Sequence, residues 1–295
     1  MSETKTNSFF SELERLLNQK YGADGPHHVK TYLRLTFSKH VTLIEKSLGL
    51  KPGCRVLDVG CGTGQFLVEA AVRGYITCGV DTFEEADGID LKIAQARAYE
   101  IGHPVKVVYG NASALPFPSD YFDLVTNFGM LEHIPQHDRS AILQEMFRVV
   151  NPGGYLFVIA GPNRNFPYDQ HLPGIPFANW LPYSMKVAVA KRYGPRLLLQ
   201  GPWSVSRTEF KKALPQSQAR CLNLYGTFLA VDGGQPLGSF QINPFYFLSY
   251  FKRRWQLYRL FGILGYMFSM IRLEHCHILA FQKIAPIVKK NNGHD

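Results

Sequence analysis

Apolar residues change their spacing several times along this chain, and each change marks an element. Phe9, Leu13, Leu16 and Leu17 share one helical stripe and Leu33 to Leu48 a second, with Asp24-Gly25-Pro26 breaking the two apart. Lys51-Pro52-Gly53 is a turn, and Arg55 to Val59 then reads as a short buried strand whose apolar run is interrupted by Asp58. Helical spacing returns at Phe66, Leu67, Ala70 and Ala71, and Tyr75 to Val80 is a second strand ending on Asp81. Beyond it, the acidic stretch Glu84 to Asp90 is longer than a crossover needs and reads as a small insertion before a helix over Leu91 to Tyr99. Val105 to Tyr109 is the third strand and Phe122 to Val125 the core of the fourth. Leu131 to Ile134 starts the next helix, and Leu143 to Val149 is amphipathic. Asn151-Pro152-Gly153-Gly154 reads as a turn before a fifth strand, Tyr155 to Ala160. Ser206 and Glu209 stand three apart like a capping box at a helix start. Arg220 to Tyr225 and Cys276 to Gln282 are the last two strands, with about 50 residues between them, long for a hairpin connection.

Strands alternating with helices predict an α/β architecture with a mostly parallel sheet. The chemistry lies where the first strand meets its turn, Asp58-Val59-Gly60-Cys61-Gly62-Thr63-Gly64. Glycines let the chain turn tightly and let its backbone approach a ligand. A dinucleotide site uses G-x-G-x-x-G; here the pattern is D-x-G-x-G-x-G, with an acid that would repel a pyrophosphate and suits a cationic cofactor. Together with Asp81, placed to grip ribose hydroxyls from a strand end, this segment resembles motif I of the class I S-adenosylmethionine-dependent methyltransferases, in the broad type-11 group. Leu115-Pro116-Phe117 and Phe122-Asp123-Leu124-Val125 are similar to the same family's loop and fourth strand, and the likeness runs nearly unbroken from Lys51 to Gly161.

The resemblance implies a Rossmann-like, seven-stranded sheet, mostly parallel, with helices on both faces. It would carry an N-terminal helical cap (1–50) on a methyltransferase domain (51–295). It implies S-adenosyl-L-methionine as cofactor, held by Asp58, Gly60, Cys61, Gly62, Gly64, Asp81, Asn111, Ala112, Asn127 and Phe128. Asn111 stands where the family often has an acid for the adenine amino group, and an amide oxygen can accept that hydrogen bond instead. Cys61 reads as a small packed residue rather than a nucleophile. An oxygen acceptor usually needs its proton removed, and His133, just after the fourth strand, is the first candidate base. His171, beside Asp169, is the second; Glu132 and His133 equally suit a packing role at a helix start. His137 reads as solvent-facing, and nothing places His27-His28 at the pocket. No His/Asp/Glu spacing points to a metal.

Beyond Gly161 the resemblance thins. Pro162 to Pro182 holds five prolines with Phe166, Tyr168, Phe177 and Trp180, and reads as a lid loop (162–182) over the active site. An insertion (226–273) separates the last two strands. Within it, Pro244 to Ile271 is aromatic and apolar around Lys252, Arg253, Arg254 and Arg259, too short in its uninterrupted runs to span a bilayer. It suits an interfacial element, a dimer contact or a helix pair buried on the sheet. Charge adds to this picture: the 295-residue chain carries +9, but residues 1–180 balance at −3 and residues 181–295 at +12. A solvated basic face, an anionic membrane surface, a phosphorylated substrate or a nucleic acid would each account for it. The absence of an Asp/Asn-Pro-Pro-Tyr run argues against methylation of nucleobases or glutamine. Five cysteines without a C-x-x-C pair and a polar start, Met1 to Asn7, point to a reducing cytoplasm, with peripheral membrane contact as an option. The expected function is therefore methyl transfer, most simply O-methylation of a small-molecule, natural-product, sugar or lipid-linked acceptor. RNA or protein methylation, or cofactor binding without turnover, are the competing classes.

Overall fold

The computed structural model describes residues 12–20, 37–82, 88–100, 102–161, 180–182, 184–185, 187–188, 191, 204–222 and 277–285. Seven strands form one sheet: β1 (Arg55–Val59), β2 (Ile76–Asp81), β3 (Val105–Tyr109), β4 (Phe122–Phe128), β5 (Val150–Ala160), β6 (Ala219–Leu222) and β7 (His277–Lys283). Their spatial order is β3-β2-β1-β4-β5-β7-β6. The first five run parallel, and β7 lies antiparallel between β5 and β6. Helices of the described part include α1 (Ser38–Leu48), α2 (Gln65–Val72), α3 (Ile89–Glu100), α4 (Arg139–Val149) and α5 (Arg207–Ala213).

Alternation along the strands divides the core in two. Leu57, Val59, Val80, Val125, Leu156 and Val158 face the apolar stripe of α4 (Ile142, Leu143, Met146) and Phe210 of α5. Val56, Leu124, Phe157 and Ile159 face the other way, against Val41 and Ile44 of α1 and Phe66 and Leu67 of α2. A helical stretch at 12–20 packs Leu13, Leu16 and Leu17 onto Ile89, Ile93 and Ala96 of α3, and Lys20 pairs with Asp90. Helices thus cover both faces of a mostly parallel sheet. The proline-rich loop 162–179, the stretch 223–276 with its basic aromatic insertion, His27, His28 and His171 lie outside the described residues.

Three local expectations are corrected. Leu131 does not open a helix: Leu131–His133 is a single 3-10 turn, and Ile134 is extended (φ −96°, ψ 133°) because the residue before a proline is pushed out of the helical region. The α-helix restarts at Arg139. Asn151 to Gly154 is not a free turn but an outgrowth within β5, where pairing jumps from Phe122↔Val150 to Leu124↔Tyr155. Asn151 Nδ2 donates to Asp123 Oδ1 (2.5 Å) and holds the bulge closed. Ser206 does cap α5, accepting from the Thr208 amide at 3.2 Å, but the Glu209 carboxylate accepts from buried Arg139 at 2.9 Å. The reciprocal half of a capping box is not made.

Candidate active site

Strand order reverses between β1 and β4, and in an open α/β sheet the crevice outside the carboxyl ends at that switch point takes the ligand. Four chain segments leave the sheet there: the glycine turn after β1, Asp81 at the end of β2, Asn111 after β3, and Asn127 to His133 at the end of β4.

The glycine turn is folded against β2. Gly60 and Cys61 amides donate to Val80 O at 2.8 and 3.2 Å, and Gly64 N closes the turn on Cys61 O at 2.8 Å. Gly60 and Gly64 have φ of +75° and +71°, and a Cβ on them would sit 2.7 Å from the Met130 side chain and 3.0 Å from Ala94 Cβ. Those two positions are fixed by packing. Gly62 differs: its φ is +45° and a Cβ there would meet nothing within 4 Å. Its amide donates to Asp81 Oδ2 at 2.8 Å, so backbone and strand-end acid meet at the open side of the turn. Cys61 is buried, 7% exposed, and burial pushes its thiol far above the ordinary range, which leaves it no nucleophile.

Asp58 lies on the central strand and is 3% exposed. Thr126 Oγ1 lies 2.8 Å from its Oδ1. Burial first, with Asp81 adding repulsion against the Thr126 hydrogen bond, pushes the carboxyl up to about 8. Burial thus disfavours a standing negative charge on the acid of the motif. Asn127 is fully buried; its Nδ2 donates to Val59 O at 2.7 Å, while its Oδ1 has no hydrogen-bond partner. Phe128 turns toward α1 and α2, with ring centroids 5.1 Å from Phe37, 4.6 Å from Phe66 and 5.6 Å from His40. Asn111 is exposed, and its Oδ1 accepts from the amide and hydroxyl of Ser113, each at 2.9 Å; Ala112 follows it, half-buried. His133 is exposed on the 3-10 turn, its amide donating to Met130 O at 2.9 Å, and Glu132 beside it is buried. His137 stands far into solvent, 3.3 Å from Asp138. Among the described residues no group of His, Cys, Asp or Glu could hold a metal ion.

The structure adds two residues that spacing did not reveal. Thr126 is the register partner of Asp58 across β1 and β4, a relation visible only once the strands are paired. Arg139, 2% exposed, donates to Ile134 O (2.9 Å), Ser204 O (3.1 Å) and Glu209 (2.9 Å). It ties the His133 turn to the segment that returns at 204. A shallow depression of about 590 Å³ lined by Asp120, Arg148, Lys212 and Lys283 lies at the opposite edge of the sheet and has no part in this arrangement.

A family model described as a methyltransferase domain matches residues 57–158. The demethylmenaquinone methyltransferase of Listeria welshimeri is 32% identical over 176 residues, covering 57% of this chain and 68% of that protein. The ubiquinone biosynthesis O-methyltransferase of Leptothrix cholodnii is 34% identical over 167 residues, 56% of this chain and 65% of that protein. Among solved structures, the phosphoethanolamine N-methyltransferase 2 of Haemonchus contortus, in complex with S-adenosyl-L-methionine, aligns at a TM-score of 0.48 and 18% identity over 84% of this chain and 52% of that one. A relative this similar over two thirds of its own length, on a chain whose strand, glycine turn and strand-end acid meet at the switch point, identifies the family: the chain belongs to the class I S-adenosylmethionine-dependent methyltransferases.

Proposed function

We propose that this methyltransferase transfers its methyl group to a hydroxyl oxygen of a small-molecule acceptor, with lipid-linked hydroxylated rings as the first class to test. The observation that carries the reading is the exposed His133 imidazole on the turn after β4, at the edge of the sheet where Gly62 and Asp81 meet. The names of the two relatives each contain a quinone, which supports a small-molecule ring acceptor, and that of the Leptothrix cholodnii protein specifies O-methylation.

The residues present fit the cofactor. Gly62 leaves open space where a side chain would intrude, and Asp81 supplies a carboxylate at the strand end for the ribose hydroxyls. In this reading the turn Gly60–Gly64 with Asp58, Asn127 and Phe128 borders the amino-acid tail, and Asn111 and Ala112 border the nucleoside end. When bound, the cofactor supplies a sulfonium that makes its methyl carbon electrophilic. The chain's task is to hold the acceptor oxygen in line with that carbon and to keep water out. His133 would take the acceptor oxygen's proton on a ring nitrogen as that oxygen is methylated. His171 is the reserve base in the 162–182 stretch.

Mass spectrometry tests this directly. The protein is incubated with S-adenosylmethionine and a panel of hydroxylated acceptors, with S-adenosylhomocysteine and methylated product measured together. His133→Gln is expected to lower turnover by about 10²–10⁴-fold with little change in cofactor affinity. Wild-type turnover by that variant at pH 7 would remove His133 from the mechanism.

A further inference from the structure

We propose that Asp58 is a neutral carboxylic acid in the cofactor-free protein and gives up its proton when the cationic cofactor enters the crevice, so that cofactor capture and proton release are one event. The inference rests on the methyltransferase reading and assigns a linkage to its cofactor site.

Thr126 Oγ1 lies 2.8 Å from Asp58 Oδ1 and 3.2 Å from Leu57 O. A hydroxyl has one hydrogen to donate, yet both neighbours are acceptors when Asp58 is ionised. Placing the proton on Asp58 satisfies both contacts: Asp58 O–H donates to Thr126 Oγ1, and Thr126 O–H donates to Leu57 O. Thr126 is fully buried, so solvent does not complete the set in its place.

The surroundings point the same way. Asp58 is 3% exposed between β2 and β4, and an ionised carboxylate there is costly without a partner charge. Burial is the largest influence on it; a hydrogen bond donated by Thr126 on β4 favours the ionised form, and Asp81 at the end of β2 disfavours it. In the glycine turn the Cys61 thiol is held neutral by burial. On the helices packed against this face, Glu69 of α2 is engaged by Arg73 at 2.9 Å, Asp90 of α3 by Lys20, and His40 of α1 is buried against Phe37, 5.0 Å between ring centroids. Glu132, buried on the turn after β4, adds a further acid near the strand ends. No cation among the described residues forms an ion pair with Asp58. The cofactor carries an ammonium and a sulfonium against one carboxylate, and so brings a net positive charge. On its arrival the Asp58 O–H bond breaks, the electron pair stays on the carboxylate, the proton leaves to solvent, and Thr126 turns its hydroxyl to donate to Asp58. Nothing is oxidised or reduced.

Calorimetric titration of the full chain with S-adenosylmethionine in two buffers of contrasting ionisation enthalpy reads the protons exchanged. At pH 6.5 the wild type is expected to release about one proton per cofactor, and its affinity to rise by up to about tenfold per pH unit between pH 6 and 7.5. Asp58→Asn, which keeps a donor toward Thr126, is expected to bind at least about tenfold more weakly and to release no proton. The cofactor's own ammonium titrates equally in both proteins and cancels in the comparison. Difference infrared spectra of the wild type alone give a second readout: the carbonyl band of a protonated carboxyl should vanish on cofactor addition. Tight binding with no proton exchange and no such band overturns the proposal while leaving the methyltransferase reading intact. No binding of the cofactor at any pH overturns both.

Discussion

Two carboxylates at the strand ends are set to opposite tasks by their surroundings. Asp58 is sealed inside the sheet, whereas Asp81 is half-exposed and accepts the Gly62 amide at 2.8 Å. Because the folded state raises the Asp58 carboxyl from 3.8 to about 8, the folded protein holds a proton that the unfolded chain releases. Its contribution to stability is fully present below about pH 3.8 and is lost as pH rises toward 8, at up to about 1.4 kcal/mol per pH unit. Asp58→Asn should therefore flatten this slope and melt above the wild type at pH 8, with the gap closing near pH 4, in thermal unfolding of the cofactor-free protein. Equal pH profiles for the two would show that Asp58 ionises freely. Asp81→Ala removes charge-assisted hydrogen bonds to ribose and should weaken S-adenosylhomocysteine by about 10- to 150-fold in a calorimetric titration; an unchanged affinity removes Asp81 from the cofactor site. Both acids were legible as residues in the sequence, because the D-x-G-x-G-x-G spacing and a strand-terminal acid are local patterns. The raised carboxyl of Asp58 was not, since it comes first from burial between strands that the chain brings together over long separations, Thr126 standing 68 positions away.

At the scale of elements, strands were read more accurately than turns. β3 matches its expected bounds, Val105–Tyr109, because a short β-rich run between a glycine-containing turn and another glycine admits little else. Leu131–His133 failed as a helix start because Pro135 overrides the apolar pattern before it, and Asn151–Gly154 failed as a turn because pairing with β4 draws a turn-like sequence into a strand. The last strand illustrates a contact no periodicity predicts. Lys283, at the end of β7, sends its ammonium among Phe147 O (3.1 Å), Arg148 O (3.1 Å), Val150 O (2.8 Å) and Asp120 (2.7 Å). It supplies a positive charge to the carboxyl end of α4, where helical carbonyls lack partners, and pins β7 to β5. With its side chain 11% exposed, Lys283→Met strands those carbonyls and should lower stability by about 2 kcal/mol in urea unfolding. A loss under about 0.5 kcal/mol would mean that water replaces the ammonium there.

Across the whole molecule the legible part is the part that repeats a local grammar. Strand, turn and helix alternate from Lys51 to Gly161, and the five strands of that stretch form the parallel part of the sheet, β3-β2-β1-β4-β5, with the antiparallel β7 and β6 added beside β5. The stretch between β6 and β7 has no such grammar: as a helix, Pro244 to Ile271 would be apolar around most of its girth, and periodicity does not separate a buried helix pair from an interfacial one. Charge does offer a test. Residues 181–295 carry +12 against −3 for residues 1–180, and Lys252, Arg253, Arg254 and Arg259 cluster amid aromatic residues. Near an anionic leaflet each basic residue contributes about 1 kcal/mol, so four together suffice for reversible attachment, the arrangement a lipid-linked acceptor would favour. Sedimentation with vesicles should then carry the protein down with phosphatidylserine-containing liposomes at low salt, leave it in the supernatant with neutral ones, and release it as salt shortens the screening length. Replacing the four basic residues with Gln should abolish pelleting while leaving S-adenosylhomocysteine affinity unchanged. Equal recovery from neutral and anionic vesicles would assign the basic half to solvent and the aromatic strip to the interior or to a contact between copies.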